Sequence, residues 1–349
     1  MCAGISGRKA VPAEAAVRGR PTPESVGTSL KSTIDIDGRR EPFRPRAAPR
    51  TDWSREFVGA TGPQDGSEPV RPRVGHISFL NCVPLLWGLA KSGALSDVDL
   101  TEASPDILNT ALAEGRLDMG PISVFEFLKH AEDLVALSDI AVGSDGDVQS
   151  CLLFSKVPLA DLDGARVALG STSRTSVRLA QLLLAERVGV RPEYHVAPPD
   201  LTRMLDDAEA AVVIGDAALR AARHDAARLG LHVHDLGGMW REWTGLPFVF
   251  AVFAARKEFL ARQPDVVRHV HSCLIEARDL SIQEIDLICE QIAERAEFDA
   301  ERLKDYYLRG LRFDFGEREL AALTEFARRV GGPGEGFPPD VRIDVIPAP

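Results

Sequence analysis

Five hydroxyl side chains crowd into seven residues at Gly170-Ser171-Thr172-Ser173-Arg174-Thr175-Ser176, between the apolar stretch 166–169 and an amphipathic stretch at 177–187. A glycine turn between a strand and a helix leaves free backbone N–H groups at the positive end of the helix dipole. With the hydroxyls added, the segment reads as a cradle for a carboxylate or phosphate. Ordinary N-capping would occupy only one of these hydroxyls. The Gly-Lys-Ser/Thr of a nucleotide-binding loop does not follow, so nucleotide hydrolysis gains no support.

Other candidates stand where strands are expected to end. Asn81 follows the alternating segment 74–79, and its amide can donate to a carboxylate while accepting from a hydroxyl. An Asn shortly before Pro84 also suits a plain turn. Ser150 opens an apolar strand, and Gly215-Asp216 follows another, where Asp216 either borders a crevice or caps a helix. Cys82 has no accompanying base and reads as an inert buried thiol. His76 lies about 16 Å from Asn81 in an extended strand and so belongs to the core or an edge. His232 and His234 share a strand face without a third ligand at a telling interval, and Trp243 reads first as a packing residue.

These positions need strands and helices to hold them. From Val74 onward, strand-like and helix-like stretches alternate, the pattern of an α/β sheet. One cycle is expected over 74–155 and a second over 166–234. The apolar run 248–255 then returns to the first unit, ahead of an almost wholly helical 264–330. Strand ends from both units would face one shared crevice. The expected domains are a disordered extension at 1–71, a discontinuous first lobe at 72–158 and 247–349, and a second lobe at 159–246.

Charge and cysteine content narrow the partners. The net charge is −11; the first 71 residues hold 12 Lys and Arg against 9 Asp and Glu, and the rest hold 29 against 43. So acidic a body repels nucleic acid and anionic membranes. The five cysteines are scattered, never as C-x-x-C, which predicts neither a disulfide framework nor a zinc site. The longest apolar run, Leu246–Ala255, has ten residues, short of the roughly 18 of a membrane span. With no recognisable export signal, a cytoplasmic location is expected, and the oligomeric state stays open.

Five spaced segments carry a resemblance: Val74 to Pro84, Asp118 to Ser123, Ala168 to Ser176, Ile214 to Ala217 and Trp243 to Ala251. In this order they resemble the MqnA family of chorismate dehydratases, from about Arg73 to the C-terminus. The resemblance implies a two-lobed, type II periplasmic-binding-protein-like α/β fold. It also implies a lyase that removes water from chorismate, giving 3-[(1-carboxyvinyl)oxy]benzoate without metal or organic cofactor. Asn81 and Ser150 would be the active-site pair, and Ser171, Thr172, Ser173 and Thr175 would hold a substrate carboxylate. Ser123 and Asp216 would line the pocket. The substrate's own enolpyruvyl carboxylate is the expected proton acceptor. Two competing expectations are a solute-binding protein and the sister enzyme that makes 1,4-dihydroxy-6-naphthoate.

Overall fold

The computed structural model of the chain describes residues 71–294 and 298–349, so the reading of the N-terminal extension lies outside it apart from Arg71. The strands, in chain order, are β1 (Arg73–Ile77), β2 (Asp99–Ala103), β3 (Met119–Ser123), β4 (Leu134–Ser144), β5 (Cys151–Ser155) and β6 (Arg166–Gly170). They continue as β7 (Glu193–Ala197), β8 (Ala210–Ile214), β9 (His232–Asp235), β10 (Phe248–Arg256) and β11 (Val345–Ile346). One sheet has the order β11-β4-β10-β3-β1-β2 and the other β7-β6-β8-β5-β9. The fold is two-lobed α/β, and the chain visits the first sheet, then the second, then the first again.

The return strand β10 is buried along almost its whole length, which explains its unbroken apolar sequence. It lies antiparallel between β3 and β4, with Phe248 opposite Ser144 where the chain leaves and re-enters this sheet. β4 shifts register against β10, with Asp139 left-handed at φ 58.

One boundary is corrected. The expected first-lobe span 72–158 is too long, because β5 pairs antiparallel with β8 and β9, placing Leu153 opposite Val212 and His234. The crossing therefore falls between Ser144 and Cys151. A short apolar strand buried on both faces carries no periodicity to say which sheet it joins.

Helices brace the strand ends. Pro84 sits in the first turn of the helix Val83–Ser92, and the left-handed Gly93 (φ 83) stops it. That helix lies against Pro264–Gln283 so closely that any Cβ at Gly88 would collide with the Ala277 backbone. The aromatic segment at 240–243 is part of a helix, Leu236–Thr244. In it the fully buried Trp240 meets Phe248 and Phe326 edge-on at 5.3 and 6.3 Å. Sequence reading missed this helix because its two glycines and three polar residues mask the apolar stripe.

Candidate active site

β1, β3, β6 and β8 all point their carboxyl ends at one crevice, as the parallel pairs β1–β2 and β6–β8 require. β5 runs the other way, so its first residue, Cys151, and Ser150 just before it arrive at the end of β8, where Cys151 faces Ile214. Ser123 ends β3 opposite Ala251 of β10. A cleft of about 560 Å³ results when the open solvent at its mouth is counted, of which about 60 Å³ is cavity proper. Asn81, Ser123, Ser150, Thr172, Ser173 and Thr175 all line it, and its apolar walls include Phe79, Val142, Ile214 and Phe250.

Asn81 lies in the short turn Leu80–Cys82 between β1 and the helix Val83–Ser92. Its Oδ1 is buried and has no hydrogen-bond partner among the described residues. A buried acceptor left open at a cavity wall is a place for a ligand donor. The turn is held from two sides: the Leu80 N–H donates to Asp216 Oδ1 at 2.9 Å, and the Tyr307 hydroxyl donates to the Leu80 carbonyl at 2.9 Å. Phe79 also lies flat against Gly215, where a Cβ would sit 2.7 Å from the ring and where φ is +63.

Two expected contacts are corrected. Asp216 does not line the cavity; its carboxylate is spent on the Leu80 amide, tying the second lobe to the first. Burial, the dominant effect, pushes its pKa up, while the Leu80 hydrogen bond and Arg220 pull against it. Ser171 is exposed and outside the cavity, its amide bonded to the Ala197 carbonyl at 2.9 Å. It is the first residue after β6 and still follows the strand's edge.

The rest of the cradle divides its hydroxyls among different tasks. Thr175 Oγ1 accepts the Phe125 N–H at 3.0 Å, closing the start of the helix Val124–Lys129 across the lobe boundary. Ser173 Oγ accepts the Ser176 N–H at 3.2 Å as an ordinary cap, and Ser176 turns toward the Cys151 thiol. Thr172 keeps its hydroxyl uncommitted among the described residues and lines the cavity. On the facing wall, Ser123 and the buried Asn109 exchange two bonds of 2.9 Å, with Asn109 Nδ2 donating to Ser123 Oγ. Ser123 must then direct its own proton elsewhere, toward the cavity.

Sequence reading passed over Arg174. Among the described residues it is the cation lining the cavity, with Glu126 3.9 Å from its guanidinium. Its position inside the hydroxyl run was the available signal. Asp235 was missed as well: its carboxylate accepts the amides of Val148 at 3.0 Å and Gln149 at 2.7 Å, fixing the approach to Ser150. Gln149 itself is left-handed at φ 65, a strained geometry for a residue with a side chain.

The remaining candidates fall away. Cys82 is fully buried, and burial pushes its thiol well above the ordinary range. His76 is buried in the first sheet and held neutral, its pKa lowered by burial to about 4. His232 and His234 stack on each other at 6.4 Å, and no three metal-ligating side chains cluster among the described residues. Trp243 carries the Arg329 guanidinium 4.0 Å above its ring, outside the cavity. A larger, open groove borders Arg187, His234, Asp235 and Glu242, but its mixed charges favour no ligand class, and of the sequence candidates it holds only His234 among the described residues. No helix among the described residues is long and apolar enough to cross a membrane.

Known proteins resemble this chain at both levels. A family model described as menaquinone biosynthesis matches residues 72–331. The chorismate dehydratase of Thermus thermophilus is 33% identical over 277 residues, 76% of this chain and 97% of the relative. The 1,4-dihydroxy-6-naphthoate synthase of the same organism is 29% identical over 189 residues, 53% of this chain and 66% of the relative. Among solved structures, an Archaeoglobus fulgidus protein superposes with a TM-score of 0.60 at 19% identity, covering 74% of this chain and 96% of that one. The alkanesulfonate-binding protein of Xanthomonas axonopodis pv. citri does so at 0.56 and 15% identity, covering 75% and 92%. These structures establish the periplasmic-binding-protein-like fold.

Proposed function

The chain belongs to the MqnA family of menaquinone biosynthesis, and from that premise we propose that it is a hydro-lyase converting chorismate to 3-[(1-carboxyvinyl)oxy]benzoate. The observation that carries the reading is the lining of the cavity. Asn81 and Ser150 meet there with Ser123, Thr172 and Arg174, and among the described residues no Asp, Glu, His or Lys joins them. Such a wall can bind and orient a dianion but offers no protein carboxylate or imidazole to take a proton.

Chorismate needs little more than that. Removing the proton at C3 and the hydroxyl at C4 leaves a benzene ring, so elimination is steeply downhill once the groups are aligned. The enolpyruvyl carboxylate hangs from C3 and takes the adjacent proton. The C3–H electron pair becomes the new ring double bond as the C4–O bond breaks, and the departing hydroxide takes the proton from the newly formed carboxylic acid, leaving as water and restoring the carboxylate. Asn81 Oδ1 accepts from the C4 hydroxyl and holds it in place, while Ser150 donates to the departing oxygen, a contact that strengthens as negative charge builds there. Arg174 and Thr172 hold a carboxylate at the opposite wall by a charge-assisted hydrogen bond. A cytoplasmic setting, with chorismate as the partner, fits this role.

Purified protein incubated with chorismate is expected to yield an aromatic ultraviolet spectrum and the mass of the benzoate product. Unchanged chorismate under these conditions overturns the reading. Conversion of a cyclic futalosine derivative instead would assign the sister activity.

A further inference from the structure

Elimination by way of Ser150 requires its hydroxyl to be held in one orientation. Tyr306 lies 156 residues further along the chain, is 1% exposed, and places its hydroxyl 2.9 Å from Ser150 Oγ. A buried phenol must donate its proton somewhere, and among the described residues its acceptor is Ser150. Burial raises the Tyr306 pKa far above the ordinary phenol value, so it stays protonated and remains a donor. Ser150 therefore receives, and its own proton has to point elsewhere. Beside it lies the Cys151 sulfur, a weak acceptor already facing the Ser176 hydroxyl at 3.5 Å. The stronger direction is the cavity.

The backbone supports this task. Tyr306 begins a π-helical turn, Tyr306–Gly310, at the end of the helix Ala300–Asp305. Such wide turns recur at functional sites because they re-aim successive side chains. Here they send neighbouring tyrosines to the two halves of the pair: Tyr306 to Ser150 and Tyr307 to the carbonyl beside Asn81. Asp305 holds the Gln149 side-chain amide at 3.0 Å, and Gly310 lets the turn approach the Val148 carbonyl, 3.1 Å from where a Cβ would sit. One helix end thus touches residues 148, 149 and 150.

We infer that Tyr306 is a positioning residue for the elimination: its hydroxyl fixes Ser150 as a donor aimed at the substrate oxygen. This rests on the dehydratase reading. Hydrogen bonds in series also polarise one another, so the Tyr306 bond strengthens what Ser150 gives.

Tyr306→Phe keeps the ring and removes the hydroxyl. Its kcat is expected to fall about 10- to 100-fold with KM changed less than about threefold, as for loss of one oriented donor. In the Ser150→Ala background the same change is expected to cost less than about twofold, because its target is gone. 4-Aminophenylalanine at 306 restores a donor of similar reach and is expected to recover most of the lost kcat, and it serves as the test variant should the Phe variant fail to fold. A wild-type kcat in Tyr306→Phe, a loss confined to KM, equal losses in both backgrounds, or a 4-aminophenylalanine variant without activity overturns the inference while the dehydratase reading stands. Wild-type protein that leaves chorismate untouched overturns both.

Discussion

The two walls of the cavity are assembled by different means. On the second lobe, Thr172, Ser173, Arg174 and Thr175 are consecutive residues between β6 and a helix, so one turn delivers them all. Asn81 and Ser150, which reach the cavity from the turn after β1 and from just before β5, depend instead on bonds that span 136 residues to Asp216, 227 to Tyr307, 86 to Asp235 and 156 to Tyr306. A wall made by contiguous backbone offers many interchangeable donors. A wall made by distant tethers offers two groups with little freedom.

The contrast is sharpest in kinetics. Ser150→Ala and Asn81→Ala are each expected to lower kcat by about 10²- to 10³-fold, while Thr172→Val costs only a few-fold, almost all in KM. Steady-state rates on chorismate check this, and comparable kcat losses on both walls would erase the distinction. Arg174→Met comes next, with KM raised about tenfold and kcat nearly kept, because a half-exposed guanidinium gives uniform binding. Measuring the same variant at two salt concentrations sharpens the point, since a charge contact weakens with salt.

Asp216 tests the tethers without touching the cavity. Asp216→Ala leaves the Leu80 amide unpartnered and is expected to slow kcat about tenfold, whereas Asp216→Asn keeps an acceptor and most of the rate. Equal rates in the two variants would show that the negative charge, rather than the bond to Leu80, is what counts.

The smallest effect on rate belongs to the core. His76 titrates near 4 in the fold against 6.5 when free. Folding therefore favours the neutral ring; this stability is complete above pH 6.5 and is lost as pH falls toward 4, by on the order of 3 kcal/mol. Urea midpoints at pH 7 and pH 4 should converge less steeply in His76→Gln, with kcat at neutral pH little changed. An unaltered pH dependence would place the acid sensitivity elsewhere.

The same contrast explains what the amino-acid order reveals. The cradle is legible because turn, hydroxyls and helix start are adjacent in the chain, and β10 because ten apolar residues in a row have to be buried. Asp216 was legible as a residue at a strand end but not in its task, since which amide it meets depends on a neighbour 136 residues away. Tyr306 lies in a segment read simply as helix, and nothing local marks a turn that widens to i+5 bonding. The sheet that β5 joins was hidden for a similar reason, as Cys151–Ser155 is apolar on both faces and fits either layer.

Because β4 and β10 are neighbours, joined in register at Ser144 and Phe248, the entire second lobe occupies the position of a hairpin loop. Topologically it is an insertion carried on two adjacent strands, so its mount resembles a double-stemmed bracket rather than a single swivel. Exchange of that insert between related chains would replace the cradle together with Ser150 and the Asp216 anchor of the Asn81 turn, so substrate range and reaction chemistry would change as one unit.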